Sequence, residues 1–283
     1  MLIVTIARLT LHEMLRRRLF LVLLGLTILV IAFTTWGFGQ ITTVGGRPMT
    51  RVEQVAVVSQ LLILVGFMFS FTLAFSAVFA GAPSLSGDVE SGVALSILAR
   101  PISRAEYVIG KWLGVVATIL IYAIPTTAAQ ILMVNLVVGY VPPHPVEFML
   151  FLSLEAVVIL TLALALSTRL AGMVGGVVAL ILWGVAWIGG IVGGVGAALS
   201  NDTAMHVGTA TRLILPTDGM WRGGVWALEP ATVIAATRAA GAAVSSNPFF
   251  AADPPEPLYV AWTIAWIALL LGIAVWSFGR REV

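Results

Sequence analysis

Six stretches of the sequence are each long and apolar enough to cross a bilayer, which takes about 20 residues as a helix. They run from Leu19 to Phe38, Val55 to Ala82, Val108 to Tyr140, Phe148 to Ser167, Leu170 to Leu199 and Leu258 to Phe278. Lipid offers no partner to a bare backbone N–H or C=O, so such runs must be helices or the strands of a closed barrel. A barrel needs apolar and polar residues in alternation, and these runs are apolar all round. The expected fold is therefore an all-α membrane protein with six transmembrane helices. Composition agrees: of 283 residues, 60% are hydrophobic and 10% charged. Soluble domains carry about 25% charged residues. The mean hydropathy is +1.05.

The net charge of +2 is too small for a nucleic-acid-binding surface. The arginines read instead as orientation signals. Both chain ends fall on one side, together with Arg8, Arg16, Arg17, Arg18, Arg100, Arg104, Lys111, Arg169, Arg280 and Arg281. The other side holds Arg47, Arg51, Arg212, Arg222 and Arg238. The richer side is expected to be cytoplasmic, giving a multi-pass protein of the cell (cytoplasmic, inner) membrane with both termini inside. The opening residues do not read as a cleaved signal peptide, because the charged cluster follows the first apolar stretch.

Three segments lie between or before the spans. Residues 1–18 place Ile3, Val4, Ala7, Leu11 and Met14 on one helix side and Thr5, Arg8, His12 and Arg16 on the other. This predicts an amphipathic interfacial helix lying on the membrane face. In residues 83–107, Pro83 marks the end of the second span. A short helix is expected over Asp88–Ala99, with Asp88 and Glu90 near its start, until Pro101 ends it at Arg100. Ser103 and Glu106 have the spacing of a capping box, so the third helix should begin near Arg104. That helix is longer than a bilayer requires, so one end projects or it kinks at Pro125. Residues 200–257 form a long extracytoplasmic segment. Arg212–Trp226 suits the interface or a re-entrant helix, Ala231–Ala243 can form a helix, and Ser245–Pro257 returns to the last span. In the fifth span Gly172/Gly176, Gly189/Gly193 and Gly190/Gly194 give small faces for close approach, within the subunit or between copies.

Catalytic and metal-binding patterns are sparse. With no cysteine, disulfides, thiolate zinc sites and iron–sulfur clusters are excluded. None of His12, His144 and His206 is central in a span, which argues against a haem. Gly110-Lys111-Trp112 lacks the glycine and hydroxyl of a phosphate-binding loop. No catalytic residue, metal or cofactor is expected on this chain. Glu155 is the one ionisable side chain well inside a span, with Gln130 and Asn135 of the third span as candidate partners.

The run Asp88-Val-Glu90-Ser-Gly92, then Leu98-Ala-Arg100-Pro101-Ile-Ser-Arg104, then Gly110-Lys111 resembles the permeases of type 2 ABC export transporters. It is similar in particular to the branch containing the permease for copper-enzyme (nitrous oxide reductase) maturation. The resemblance implies a non-catalytic permease that couples ATP hydrolysis on a separate ATPase subunit, which carries the ATP and magnesium, to transport or mechanical work. It implies a dimer with a second permease subunit, homo- or heteromeric. It also implies a coupling helix that seats in the ATPase through Asp88, Glu90, Gly92, Arg100, Pro101 and Arg104, with residues 1–18 packed beside it. Two other readings stand beside it: a secondary transporter using Glu155, and a structural anchor subunit docking an extracytoplasmic partner through residues 200–257.

Overall fold

The structure is a computed structural model that describes residues 2–41, 43–44, 47–99, 102–241 and 247–281. Six helices are long and apolar enough to span a membrane, and the chain is an all-α multi-span membrane protein. In chain order the elements are α1 (Leu2–Arg16), α2 (Arg18–Gly39), a two-stranded antiparallel pair of β1 (Thr43–Val44) and β2 (Arg47–Pro48), and α3 (Arg51–Gly81). Next come α4 (Pro83–Glu90), α5 (Val93–Leu98), α6 (Arg104–Val138), α7 (Pro145–Ser167) and α8 (Gly172–Ala198). They are followed by α9 (Asp202–Ile214), α10 (Thr217–Leu228), α11 (Ala231–Ala240) and α12 (Pro257–Gly279).

The central span is α7: its best 18-residue window is 67% buried, against 11% for α2 and 17% for α12. It packs against α3, α6, α8, α10 and α12, and Val158, Ile159, Leu160, Ala163 and Leu164 are fully enclosed. The peripheral α2 is fastened to α6 by hydroxyls rather than by an apolar stripe. Thr27 Oγ1 lies 2.5 Å from the Tyr122 hydroxyl, and Thr34 Oγ1 donates to Gln130 Oε1 at 3.1 Å. Leu26, Leu29, Phe33 and Trp36 of α2 face outward, as a lipid-facing helix should.

Pro83 does not end the second span. Helix α4 continues α3 across a single residue, Ala82, which keeps right-handed helical dihedrals, and Arg51–Glu90 forms one 40-residue unit. A proline inside a helix costs one backbone bond. Here Ser84 Oγ donates to Gly81 O at 2.6 Å and Ser86 Oγ to Ala82 O at 3.1 Å, so hydroxyls serve carbonyls around the interruption. At 1.5 Å per residue the unit is about 60 Å long, twice the roughly 30 Å hydrocarbon. It therefore projects well beyond the bilayer. Pro125 likewise lies within a continuous α6, so the projection of one end explains that span's length.

The expected single helix over Asp88–Ala99 is two helices. Gly92 has φ +75°, a left-handed conformation that ends α4 and turns the chain into α5. Asp88 and Glu90 thus stand in the last turn of α4, not near the start of a new helix. The capping box is formed: Glu106 N donates to Ser103 Oγ at 3.1 Å and Ser103 N to Glu106 Oε2 at 3.0 Å. Helix α6 begins at Arg104 as its sequence predicts.

Helix α1 lies against α6. Its buried residues are Ile6, Thr10 and Met14, so the stripe expected to meet lipid meets a helix instead. Gly110 and Gly114 of α6 let it close: a Cβ on Gly114 would stand 2.6 Å from Ala7 O.

On the opposite side of the membrane, α9 and α10 form a re-entrant hairpin. Helix α9 runs back down α8, with Ala204 against Gly196, Gly208 against Gly193 and Thr211 against Gly189. At the central contact a Cβ on Gly208 would lie 2.4 Å from Gly193 Cα, so only glycine allows the two backbones to meet. The glycine face of α8 is used within the subunit. Helix α10 then returns beside α7, almost wholly buried.

Candidate functional site: the elbow and the buried polar contacts

The elbow of α4 and α5 is held by a buried ionic joint. Lys111, on the first turns of α6, has a side chain only 7% exposed, and its Nζ lies 2.5 Å from Asp88 Oδ2. The Tyr107 hydroxyl donates to the same Asp88 oxygen. Glu13 of α1 approaches Lys111 Nζ at 3.9 Å from the solvent side, 47% exposed. One lysine therefore ties the interfacial helix, the projecting lever and the third span together. A buried charge needs such partners, because removing one leaves the other uncompensated. The apolar part of the joint is Ile6, Leu85, Tyr107, Val108, Leu164, Ala274 and Phe278.

This geometry reassigns two residues expected to face an ATPase. Asp88 is turned inward onto Lys111. Arg104 Nη1 donates to the carbonyls of Phe278 and Gly279 at 3.2 and 3.4 Å, and to that of Arg281. It thus closes the open end of α12, where the last carbonyls of a helix lack partners. Glu90 remains exposed, and Gly92 forms the bend. Arg100 and Pro101 lie outside the described residues. The exposed tip also includes Val93 and Leu95, 43% and 55% exposed. Sequence reasoning missed those two because single apolar residues in a polar loop carry no pattern.

Glu155 is 3% exposed in mid-α7. Its partners are not Gln130 and Asn135. Ser70 Oγ lies 3.0 Å from both carboxyl oxygens, and Trp183 Nε1 donates to Oε1 at 3.3 Å. Gln130 accepts from Thr34, and the carbonyl of Asn135 accepts from Gly139 N. The carboxyl therefore joins α3, α7 and α8 across the core.

The far side holds acids and bases that sequence reasoning left unassigned. Asp218 of α10 is enclosed, with Arg212 Nε at 2.7 Å and Arg222 Nε at 3.3 Å from the same oxygen. The last carbonyls of α9 end within the fold, and three side chains of α12 serve them. Tyr259 Oη donates to Arg212 O at 3.1 Å, Trp262 Nε1 to Leu213 O at 3.1 Å and Trp266 Nε1 to Ile214 O at 2.9 Å. The signal was present as aromatics at Tyr259, Trp262 and Trp266, on one helix face, but it names no partner. At the far-side rim Glu229 is 1% exposed. Burial pushes its carboxyl up to about 8, against a weak opposing bond from Gln60 at 3.4 Å.

Among the described residues no group of three or more histidines, aspartates and glutamates could hold a metal. The sequence model of the ABC-2 family transporter proteins matches residues 4–283. No curated protein matches the chain.

Proposed function

The chain belongs to the ABC-2 family of transporter proteins, and from that premise we propose that this permease subunit takes up work from a separate ATPase subunit through the elbow of α4 and α5. The observation that carries the reading is the 40-residue helix of α3 and α4. It leaves the bilayer as one lever, is fixed at Asp88 to Lys111, and offers Glu90, Val93 and Leu95 at its tip. A rigid element joined to two spans transmits displacement, where a loose loop would absorb it.

In this reading the elbow side is cytoplasmic, in keeping with its arginine surplus. ATP and magnesium are bound and used on the partner. Two permeases pair, with the lipid-facing faces of their peripheral spans left to the bilayer. Glu90 and the two apolar residues seat in a groove of the ATPase, while Asp88 and Arg104 hold the elbow in shape. Arg100 and Pro101 belong to the same loop and are proposed to line the contact. A role for Glu155 in carrying protons is less well supported, since Ser70 and Trp183 occupy its oxygens. An extracytoplasmic partner would dock on the outer part of 200–257, around α11, because α10 is spent on internal packing.

The test is co-purification of the native ATPase with Val93→Asp and Leu95→Asp proteins. Loss of the ATPase from a folded, monodisperse permease is expected. Retention of the ATPase with unchanged stimulation of its turnover would overturn the elbow as the contact.

A further inference from the structure

The tip of the re-entrant hairpin carries more positive charge than its neighbours balance. Arg212 and Arg222 share one carboxylate oxygen, Oδ2 of Asp218, whose side chain is 1% exposed. Arg222 also reaches Gly190 O with Nη2 at 3.5 Å. Gly190 makes room for the acid, since a Cβ there would fall 2.2 Å from Asp218 Cγ. Among the described residues no other carboxylate bonds either guanidinium, and Glu155 is engaged by Ser70 and Trp183. Two guanidiniums against one carboxylate leave a surplus of one charge.

That surplus is partly open and lies at a definable level. The Arg212 side chain is 31% exposed and spends only its Nε on Asp218, which leaves the terminal nitrogens of its fork. Its own carbonyl is held by Tyr259, in the first turn of α12, with Trp262 one turn further on. Tyrosine and tryptophan in such a row sit at the depth of lipid headgroups. An unbalanced arginine at that depth calls for an anion, and a planar guanidinium fork matches a phosphate.

We propose that the Arg212–Arg222 pair binds the phosphate headgroup of an anionic amphiphile in the leaflet remote from the elbow. Arg212 supplies the free donors, Arg222 holds Asp218 in place, and the acyl chains lie along α12 beside Trp262. Binding is an equilibrium property of the permease alone, so it does not rest on the ATPase contact.

The experiment places the purified full chain in phosphatidylcholine nanodiscs and titrates brominated phosphatidylglycerol or brominated phosphatidylcholine, reading quenching of tryptophan emission. Saturable quenching at a lower mole fraction of the anionic lipid is expected. Loss of one charge-assisted contact in Arg212→Gln should weaken it about tenfold, and Arg212→Lys should retain part of the preference. Arg212→Gln leaves Asp218 paired with Arg222, so folding should survive. If it does not, the wild-type lipid comparison and Arg212→Lys still decide. Equal quenching by the two lipids in the wild type, or an unchanged Arg212→Gln titration, would overturn the proposal. So would displacement of the bromolipid by millimolar inorganic phosphate, which would mark a free-anion site instead.

Discussion

Replacing Lys111 by methionine tests the ionic joint most directly. The lysine side chain is 7% exposed and Asp88 18%, so the pair is shielded from water. Methionine has similar length and fills the space, and Asp88 keeps the Tyr107 hydroxyl but loses its cation. Breaking a buried pair by removing one partner costs about 3–5 kcal/mol. Glu13 is different: at 3.9 Å and 47% exposed it resembles a surface pair, worth about 0–1 kcal/mol. The double replacement Lys111→Met, Asp88→Leu leaves no orphan charge and should recover most of the loss. Unfolding in mixed micelles with rising dodecyl sulfate fraction gives the four stabilities needed. The expected order is wild type near Glu13→Gln, the double variant slightly below or level, and Lys111→Met well below. If Lys111→Met falls within about 1 kcal/mol of the wild type, or if Glu13→Gln costs as much as Lys111→Met, the joint is not what holds the elbow.

Three further outcomes follow from the same geometry. Gly208→Val should drive α9 off α8, because its first added carbon would lie 2.4 Å from Gly193 Cα; a shifted or lost monodisperse peak in size-exclusion chromatography checks it, and a wild-type profile refutes it. Trp266→Phe removes the donor to Ile214 O and should cost about 1–3 kcal/mol for the bared carbonyl, measured by the same micelle titration. Glu229, held up to about 8 against an ordinary 4.5, keeps its proton in the folded state while the unfolded chain releases it. Stability should therefore fall as pH rises from about 4.5 to about 8 and then level. Glu229→Gln should flatten this decline and be the more stable protein at pH 8; melting curves across pH decide.

Much of the architecture was legible because it follows from lipid itself. Runs such as Phe148–Ser167 admit only one local structure, so span number and type could be read directly. The start of α6 was equally plain, since Ser103 and Glu106 are a local device whose partners lie three residues apart. Pro83 misled for a physical reason: proline removes one bond, but Ser84 and Ser86, two hydroxyls in the right register, soften the break. The long-range pairings were not legible. Asp88 and Lys111 are 23 positions apart and could each have faced solvent; only the packing of α4 on α6 brings them together. Glu155 was correctly singled out as an embedded acid, yet nothing in the chain tells Ser70 and Trp183 from Gln130 and Asn135 as its partners. The Asp218 cluster was hidden because its arginines were read as topology markers of a solvated segment.

The last span is fastened at both ends by groups it cannot release cheaply. Near the elbow, Arg104 holds its final carbonyls and Arg169 grips Ser277 at 2.9 Å. At the other end Tyr259, Trp262 and Trp266 occupy three carbonyls of α9. Each carbonyl stripped bare in hydrocarbon costs several kcal/mol. Tilting this helix therefore drags the hairpin with it rather than parting from it. It behaves as a connecting rod: a push delivered at the base of the third span arrives, undivided, at a gate on the other face of the bilayer.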